Sequence, residues 1–325
     1  MKVLVVPTNR PESLPEFLDA WSPWPWDRII VIVDAPQLST NLAGVWCDDE
    51  RLDAHSWADI DATLADPSII SRGDSAIRSF GFWQAWSLGA DVIFTLDDDC
   101  YPPDGLAPAA FVEAHLANLY ATPAWQSTIP SLRVRGLPYR NLGTLGGVAL
   151  SVGLWVGNPD IDAVQTLAIG ARAGDYADSI ATRVMPSSQY FPMSGMNLAF
   201  GRDITCLMYF APMGMEQPYR RFDDIWCGLV VQRICAHLGL PVVCGHPVVD
   251  HRRASDPFAN LVKEAAGIGT NERLWQVIDA TELTRSSPLE CMREMGEQLC
   301  AVDDGYVRRW GRAILGWCSL FGAEE

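Results

Sequence analysis

An α/β fold on a largely parallel sheet is what the sequence predicts, and two observations predict it. Three short, continuous apolar runs, Val3 to Val6, Arg28 to Val33 and Asp91 to Leu96, have the Val, Ile and Leu richness of strands buried on both faces. Stretches long enough for crossover helices separate them, so strand and helix alternate in the βαβ manner.

Taken in order, the first run ends at Pro7, and Glu12 to Trp21 has the length of a first crossover helix. The second run, RIIVIV, stops at Asp34-Ala35-Pro36. Asp74 to Leu88 predicts a helix, and the third run, DVIFTL, leads directly into Asp97-Asp98-Asp99-Cys100 before Pro102-Pro103 halts it. Leu106 to Leu119 predicts another helix, with Pro108 tolerated in its first turn. From Thr122 to Met213 the chain is rich in Gly, Pro, Ser and Thr, which predicts short strands and functional loops. In Asp223 to Leu238 the residues Ile225, Trp226, Leu229, Val230, Ile234 and Leu238 recur at helical spacing, and Pro241 to Gly245 predicts a short strand. Asn271 to Phe321 predicts amphipathic helices broken near Ser286-Ser287-Pro288 and Asp303-Asp304-Gly305. No internal repeat or low-complexity linker interrupts the 325 residues.

With 24 Lys and Arg against 40 Asp and Glu, the formal net charge is −16. Such a chain repels a phosphate backbone, which argues against a general nucleic-acid binder, so a bound phosphate has to be met by a local device such as a metal ion or a few arginines. The nine cysteines are odd in number and scattered, without CxxC or zinc spacing, and read as reduced thiols. The apolar run before Pro7 is too short for a signal peptide, and Asn141 to Pro159 is broken by five glycines, so the expectation is a cytoplasmic protein with no membrane insertion.

The three consecutive carboxylates Asp97, Asp98 and Asp99 are the most informative local feature. On its own such a run is more often a solvated acidic turn; at the carboxyl end of a buried strand it stands where open α/β sheets bind ligands. Adjacent like charges call for compensation, and Mg²⁺ or Mn²⁺ provides it by taking one or two carboxylates and completing its shell with substrate phosphate oxygens, the logic of a nucleotide-sugar site. His251, in VVDHRRAS, is a further candidate metal ligand, although a His beside two Arg is more often a surface residue. Asp223 and Asp224 open an apolar helical pattern, where helix capping is the plain explanation of one, and the other is free to act as a base. Gly195-Met196-Asn197 suits sugar recognition or a tight turn. Arg78 and Arg135 are cations in apolar surroundings, of the kind that pair with carboxylate or phosphate.

These segments together resemble the reversibly glycosylated polypeptides, which include the plant UDP-arabinopyranose mutases and form glycosyltransferase family 75. The resemblance is carried by Val5 to Arg10 (VPTNR after Val5), Asp74 to Phe82 (DSAIRSFGF), Asp97 to Cys100 (DDDC), Val134 to Pro138 (VRGLP) and Gly153 to Ala163 (GLWVGNPDIDA). It continues through Gly195 to Phe200 (GMNLAF), Met208 to Phe210, Arg221 to Trp226 (RFDDIW), His237 to Leu240 and His251 to Leu261. It implies a GT-A-like nucleotide-diphospho-sugar fold, Rossmann-like with a mixed sheet, over residues 1–268, and a helical extension, 269–325, packed on the same domain. It also implies a UDP-sugar substrate and a divalent ion, Mn²⁺ or Mg²⁺, with no flavin.

Residue by residue, Asp97, Asp98 and Asp99 fall on the family's metal-binding motif, His251 on the His of its W-H-S-K-A-S segment, and Pro7, Thr8 and Arg10 on its P-T-x-R. Asp34 falls where the family places a nucleotide-contacting acid, so the expected substrate-binding set is Pro7, Thr8, Arg10, Asp34, Arg78, Asp97, Gly195 and Asn197. Arg135 matches the Arg of the family's V-R-G-Y-P, the residue the family glycosylates reversibly. Here the metal segment reads Asp250-His251-Arg252-Arg253-Ala254-Ser255, and Gly201 replaces an Asp after GMNLAF. Because a guanidinium is a poor nucleophile until it sheds a proton, a carboxylate has to accept that proton, and Asp223 or Asp224 is the candidate. The expected function is a pyranose–furanose UDP-sugar mutase working through glycosyl-Arg135. A UDP-sugar glycosyltransferase with a separate acceptor is the alternative, and a non-catalytic UDP-sugar-binding subunit is a third reading. The sequence leaves a homo-oligomer open.

Overall fold

The structure, a computed structural model, describes residues 1–37, 49–121, 147–170, 180–253 and 255–322. The chain begins with β1 (Lys2–Thr8), α1 (Leu14–Ala20), β2 (Arg28–Val33), β3 (Leu52–His55), α2 (Trp57–Thr63), α3 (Arg78–Ser87), β4 (Val92–Leu96), β5 (Cys100–Tyr101) and α4 (Pro108–Tyr120). It continues with β6 (Leu150–Gly157), α5 (Ala163–Ile169), β7 (Arg183–Val184), β8 (Asn197–Gly201), α6 (Asp223–Leu238) and β9 (Val242–His251), and closes with α7 (Pro257–Asp279), α8 (Pro288–Cys300) and α9 (Gly305–Ser319).

The apolar runs form strands because both of their faces are covered. In β1, Val3 and Val5 enter the core under α3 and α6, while Leu4 and Val6 enter a second core under α1 and α4. The described strands form one mixed sheet in the order β3-β2-β1-β4-β8-β6-β9-β5, with β7 also paired to β9. β3, β2, β1 and β4 run parallel, β8 runs antiparallel between β4 and β6, and β6 and β9 are parallel again. This is a mixed sheet, as the resemblance implied.

The C-terminal helices seal the first core. The Trp317 ring stacks on Tyr209 at 5.3 Å and its Nε1 donates to the Cys206 carbonyl at 2.8 Å, while the Tyr306 hydroxyl donates to the Pro212 carbonyl at 3.0 Å. Helix α7 runs continuously through position 268, where the sequence suggested a division. It also starts at Pro257 rather than Asn271, because exposed Phe258 and Val262 blur its apolar period. Strand β9 runs on past Gly245 to His251, across a register shift opposite Gly153 and Leu154 that accommodates His246-Pro247. β3 and α2 carry no apolar run and were not foreseen. Among the described residues no helix is long and apolar enough to cross a membrane, and the eight cysteines are free thiols, six of them buried.

Candidate functional site at the strand ends

The carboxyl ends of β1, β2 and β4 open into one cleft of about 280 Å³, lined by Pro7 to Arg10, Asp34, Gly73 to Ser75, Ile77, Arg78, Asp97 to Asp99, Arg221 and Arg253. Its position is the crevice that open α/β sheets use for ligands. Pro7, Thr8, Arg10, Asp34, Arg78 and the three aspartates are therefore brought together as the sequence suggested.

Each aspartate of the Asp97–Asp99 turn has a cationic or hydroxyl partner. Asp97 accepts from Arg78; Asp98 accepts from the Thr8 hydroxyl and from Arg10; Asp99 accepts from the same Arg10 Nη2 at 3.0 Å. Burial pushes the Asp98 carboxyl up, against the pull of Thr8 and Arg10. Asp34 accepts Trp57 Nε1–H at 2.8 Å and the Gly73 amide at 3.0 Å, and burial raises its carboxyl as well.

Arg78 departs from the expectation of a substrate contact. It is 1% exposed, its Nε donates to the Ser75 carbonyl at 3.1 Å, and Nη1 donates to Thr95 Oγ1 at 3.1 Å and to the Gly195 carbonyl. With Nη2 on Asp97 and its guanidinium over the Phe210 ring at 5.3 Å, it braces the aspartate turn. Gly195 packs beneath it: a Cβ there would stand 2.7 Å from Phe210 Cε2, so glycine is required by close approach. The Gly195 amide in turn donates to Asp224 Oδ2 at 2.7 Å.

Asp223 and Asp224 lie in the first turn of α6, and the cap position is Phe222, so neither is the capping residue. Buried Asp223 accepts from the Ser75 hydroxyl, while half-buried Asp224 also accepts the Ile225 amide at 2.8 Å. Burial raises both carboxyls, and for Asp224 the adjacent Asp223 adds to it. Asp74, which the sequence reading had not assigned, belongs to the same group. Its Oδ2 accepts from Ser71 Oγ at 2.9 Å and from the Met213 amide at 2.7 Å, its Oδ1 is buried without a partner, and burial with Asp223 nearby raises it too.

Asn197 is a correction. It is fully buried, with Nδ2 donating to the Leu154 and Pro247 carbonyls at 3.0 Å each and Oδ1 paired with His115 Nε2 at 2.9 Å. Every hydrogen-bonding atom of its amide is engaged by β6, β9 or α4, so it fastens β8 to its neighbours and does not face the cleft. Arg135 lies outside the described residues.

His251 reaches the site through β9. Pairing of Cys100 with His251 across β5 and β9, and the Arg252 amide donating to the Asp99 carbonyl at 3.1 Å, hold the strand end against the aspartate turn. The Asn158 carbonyl 2.9 Å from His251 Nδ1 can only accept, so Nδ1 carries a proton and Nε2 is the nitrogen that bears the lone pair in the uncharged tautomer. That lone pair stands 3.9 Å from Asp99 Oδ1, beyond hydrogen-bond length and within the span of two donors each about 2.1 Å from one cation. No three His, Cys, Asp or Glu side chains converge as a preformed metal site among the described residues, because Asp97 and Asp98 turn to arginines. The donors fit a hard divalent ion held by Asp99 and His251 and completed by phosphate oxygens and water. Asp160 stands behind them, its carboxyl raised by burial and bonded to Ser194 Oγ at 2.9 Å.

An α/β protein with a mixed sheet and an acid- and arginine-lined cleft at its strand ends is the class that this fold and site define. The chain belongs to the reversibly glycosylated polypeptide family, whose model matches residues 2–324. It is 36% identical to UDP-arabinopyranose mutase 1 of Arabidopsis thaliana over 97% of this chain and 90% of that one. It is 38% identical to UDP-arabinopyranose mutase 1 of Oryza sativa subsp. japonica, over 94% of this chain and 86% of the relative. Among solved structures, a 4-diphosphocytidyl-2C-methyl-D-erythritol synthase from Anaerococcus prevotii overlays at a TM-score of 0.37 and 9% identity, covering 82% of this chain and 95% of its own, a likeness too slight to define a shared fold or activity.

Proposed function

We propose that this protein is a UDP-sugar mutase that interconverts pyranose and furanose forms, with UDP-arabinopyranose as the first substrate to test. The supporting observation is near full-length identity of 36% and 38% to proteins named UDP-arabinopyranose mutase, combined with a cleft suited to a nucleoside diphosphate at the strand ends.

In this reading the bond from the anomeric carbon to the phosphate oxygen breaks, and UDP leaves with the electron pair. The guanidinium of Arg135 bonds to that carbon and its proton passes to an ionised carboxylate, for which Asp223 or Asp224 is the candidate, since burial raises the proton affinity of both. The nitrogen lone pair then expels the ring oxygen, which takes up a proton. Another sugar hydroxyl closes the five-membered ring and gives up its own, and a UDP oxygen displaces the arginine, which recovers its proton. Atoms and electrons balance with no net oxidation, so the scheme needs no flavin. A divalent ion held by Asp99 and His251 would supply charge neutralisation at the diphosphate. Arg10 and Arg78 keep the aspartate turn in place, and Asp34 and Thr8 form the wall on the β1–β2 side.

The test is to incubate the purified protein with UDP-arabinopyranose and Mn²⁺, without acceptor, and to separate the nucleotide sugars while mapping adducts by peptide mass spectrometry. A UDP-arabinofuranose peak is expected, lost in Arg135→Ala and on chelation with EDTA, and restored by added Mn²⁺. UDP release only when an external acceptor is present, with no furanose, would replace the mutase with a glycosyltransferase.

A further inference from the structure

The two remaining arginines of the cleft point to how the diphosphate is held. Five carboxyl groups line it, Asp34, Asp74, Asp97, Asp98 and Asp99, and two of its four arginines, Arg10 through its Nη2 and Arg78, are already engaged by the aspartate turn. A doubly anionic diphosphate entering here meets net repulsion unless the other two, Arg221 and Arg253, receive it. Both have terminal guanidinium nitrogens with no protein acceptor among the described residues, since Arg221 bonds through Nε only.

Arg221 is built in rather than hanging free. Its φ of 65° is a left-handed conformation uncommon outside glycine and kept only where the surroundings impose it. Its Nε donates at 2.8 Å to Oε1 of Glu264, a side chain on α7 that is only 4% exposed. The other Glu264 oxygen accepts the Ala163 amide, the first of α5, at 2.9 Å. Both Glu264 oxygens are thus used in fixing Arg221 by one edge, and the two Nη groups of this cleft residue stay available as a fork, the geometry that matches phosphate. Arg253 follows β9 two residues after His251 and lines the same cleft.

We propose that Arg221, positioned by Glu264, and Arg253 form the diphosphate clamp of this cleft, binding the phosphates of a nucleoside diphosphate and stabilising the charge on UDP as it leaves and returns. The proposal rests on the UDP-sugar reading above.

The test compares UDP with uridine by titration calorimetry at one fixed Mn²⁺ concentration. The parent protein is expected to bind UDP much more tightly than uridine. Arg253→Ala, at an exposed position, is expected to weaken UDP by about tenfold or more, the loss of charge-assisted hydrogen bonds, and to leave uridine within about twofold. Arg221→Ala is tested with Glu264→Gln in the same chain, so that no buried carboxylate is left uncompensated, with the same expectation. UDP affinity unchanged in both variants, or UDP and uridine weakened equally, overturns the clamp while leaving the UDP-sugar reading in place. A parent protein that binds UDP no better than uridine overturns that reading itself.

Discussion

Replacing Arg78 with methionine tests whether the cleft depends on a buried strut. The substitution keeps most of the volume and removes a guanidinium that is 1% exposed and donates to Ser75 O, Thr95 Oγ1, Gly195 O and Asp97. Each buried acceptor left without a donor costs about 1–3 kcal/mol. Asp97 is 34% exposed, so water recovers part of its loss and its ion pair counts at the low end. Together these give about 3–5 kcal/mol, the range for breaking a buried pair from one side. Equilibrium urea unfolding of Arg78→Met measures it, and the double variant with Asp97→Asn closes a thermodynamic cycle. A coupling of about 1 kcal/mol or more is expected, because the carboxylate that suffers from the missing cation is then neutral. A loss below about 1 kcal/mol in the single variant, or strict additivity in the cycle, would refute the view that Arg78 braces the aspartate turn.

Two further outcomes follow from the buried polar groups. Burial and the neighbouring Asp223 raise the folded-state Asp74 carboxyl, so the folded protein holds a proton that the unfolded chain has released; stability falls as pH rises from the ordinary carboxylate range toward that raised value. Asp74→Asn removes this contribution, and its unfolding midpoint should fall less between about pH 5 and pH 8 than that of the parent; parallel pH profiles would contradict the assignment. Asn197→Ala leaves His115 Nε2, the Leu154 carbonyl and the Pro247 carbonyl without their Asn197 partner, which should lower stability by about 3 kcal/mol, yet UDP affinity measured on the folded fraction should hold, since Asn197 does not face the cleft. A UDP affinity that drops with no loss of stability would return Asn197 to the binding site.

Much of the cleft was legible because its residues sit at the ends of strongly patterned strands. Val3 to Val6 and Val92 to Leu96 place Thr8, Arg10 and Asp97 to Asp99 side by side once the two strands pair in parallel register. Asp74 and Ser75 lay within a motif already singled out, but nothing in one dimension says that an aspartate has an orphan oxygen. Arg78 and Asn197 show the opposite error: a polar residue in an apolar setting reads as a ligand contact, and only counting its hydrogen bonds shows that the protein itself occupies it.

The sequence alone determined the alternation of buried strands and helices, the acidic turn at a strand end and the family, because apolar periodicity and ordered motifs are written in chain order. The tertiary structure decided which groups meet. β9 had to continue past Gly245 for His251 to reach Asp99, and α7 had to extend back to Pro257 for Glu264 to hold Arg221. Both extensions run through residues whose local preferences oppose them, a Gly and Pro in the strand and exposed apolar side chains on the helix. Long-range pairing and burial outweigh those preferences, and long-range pairing is not a property of any short window of sequence.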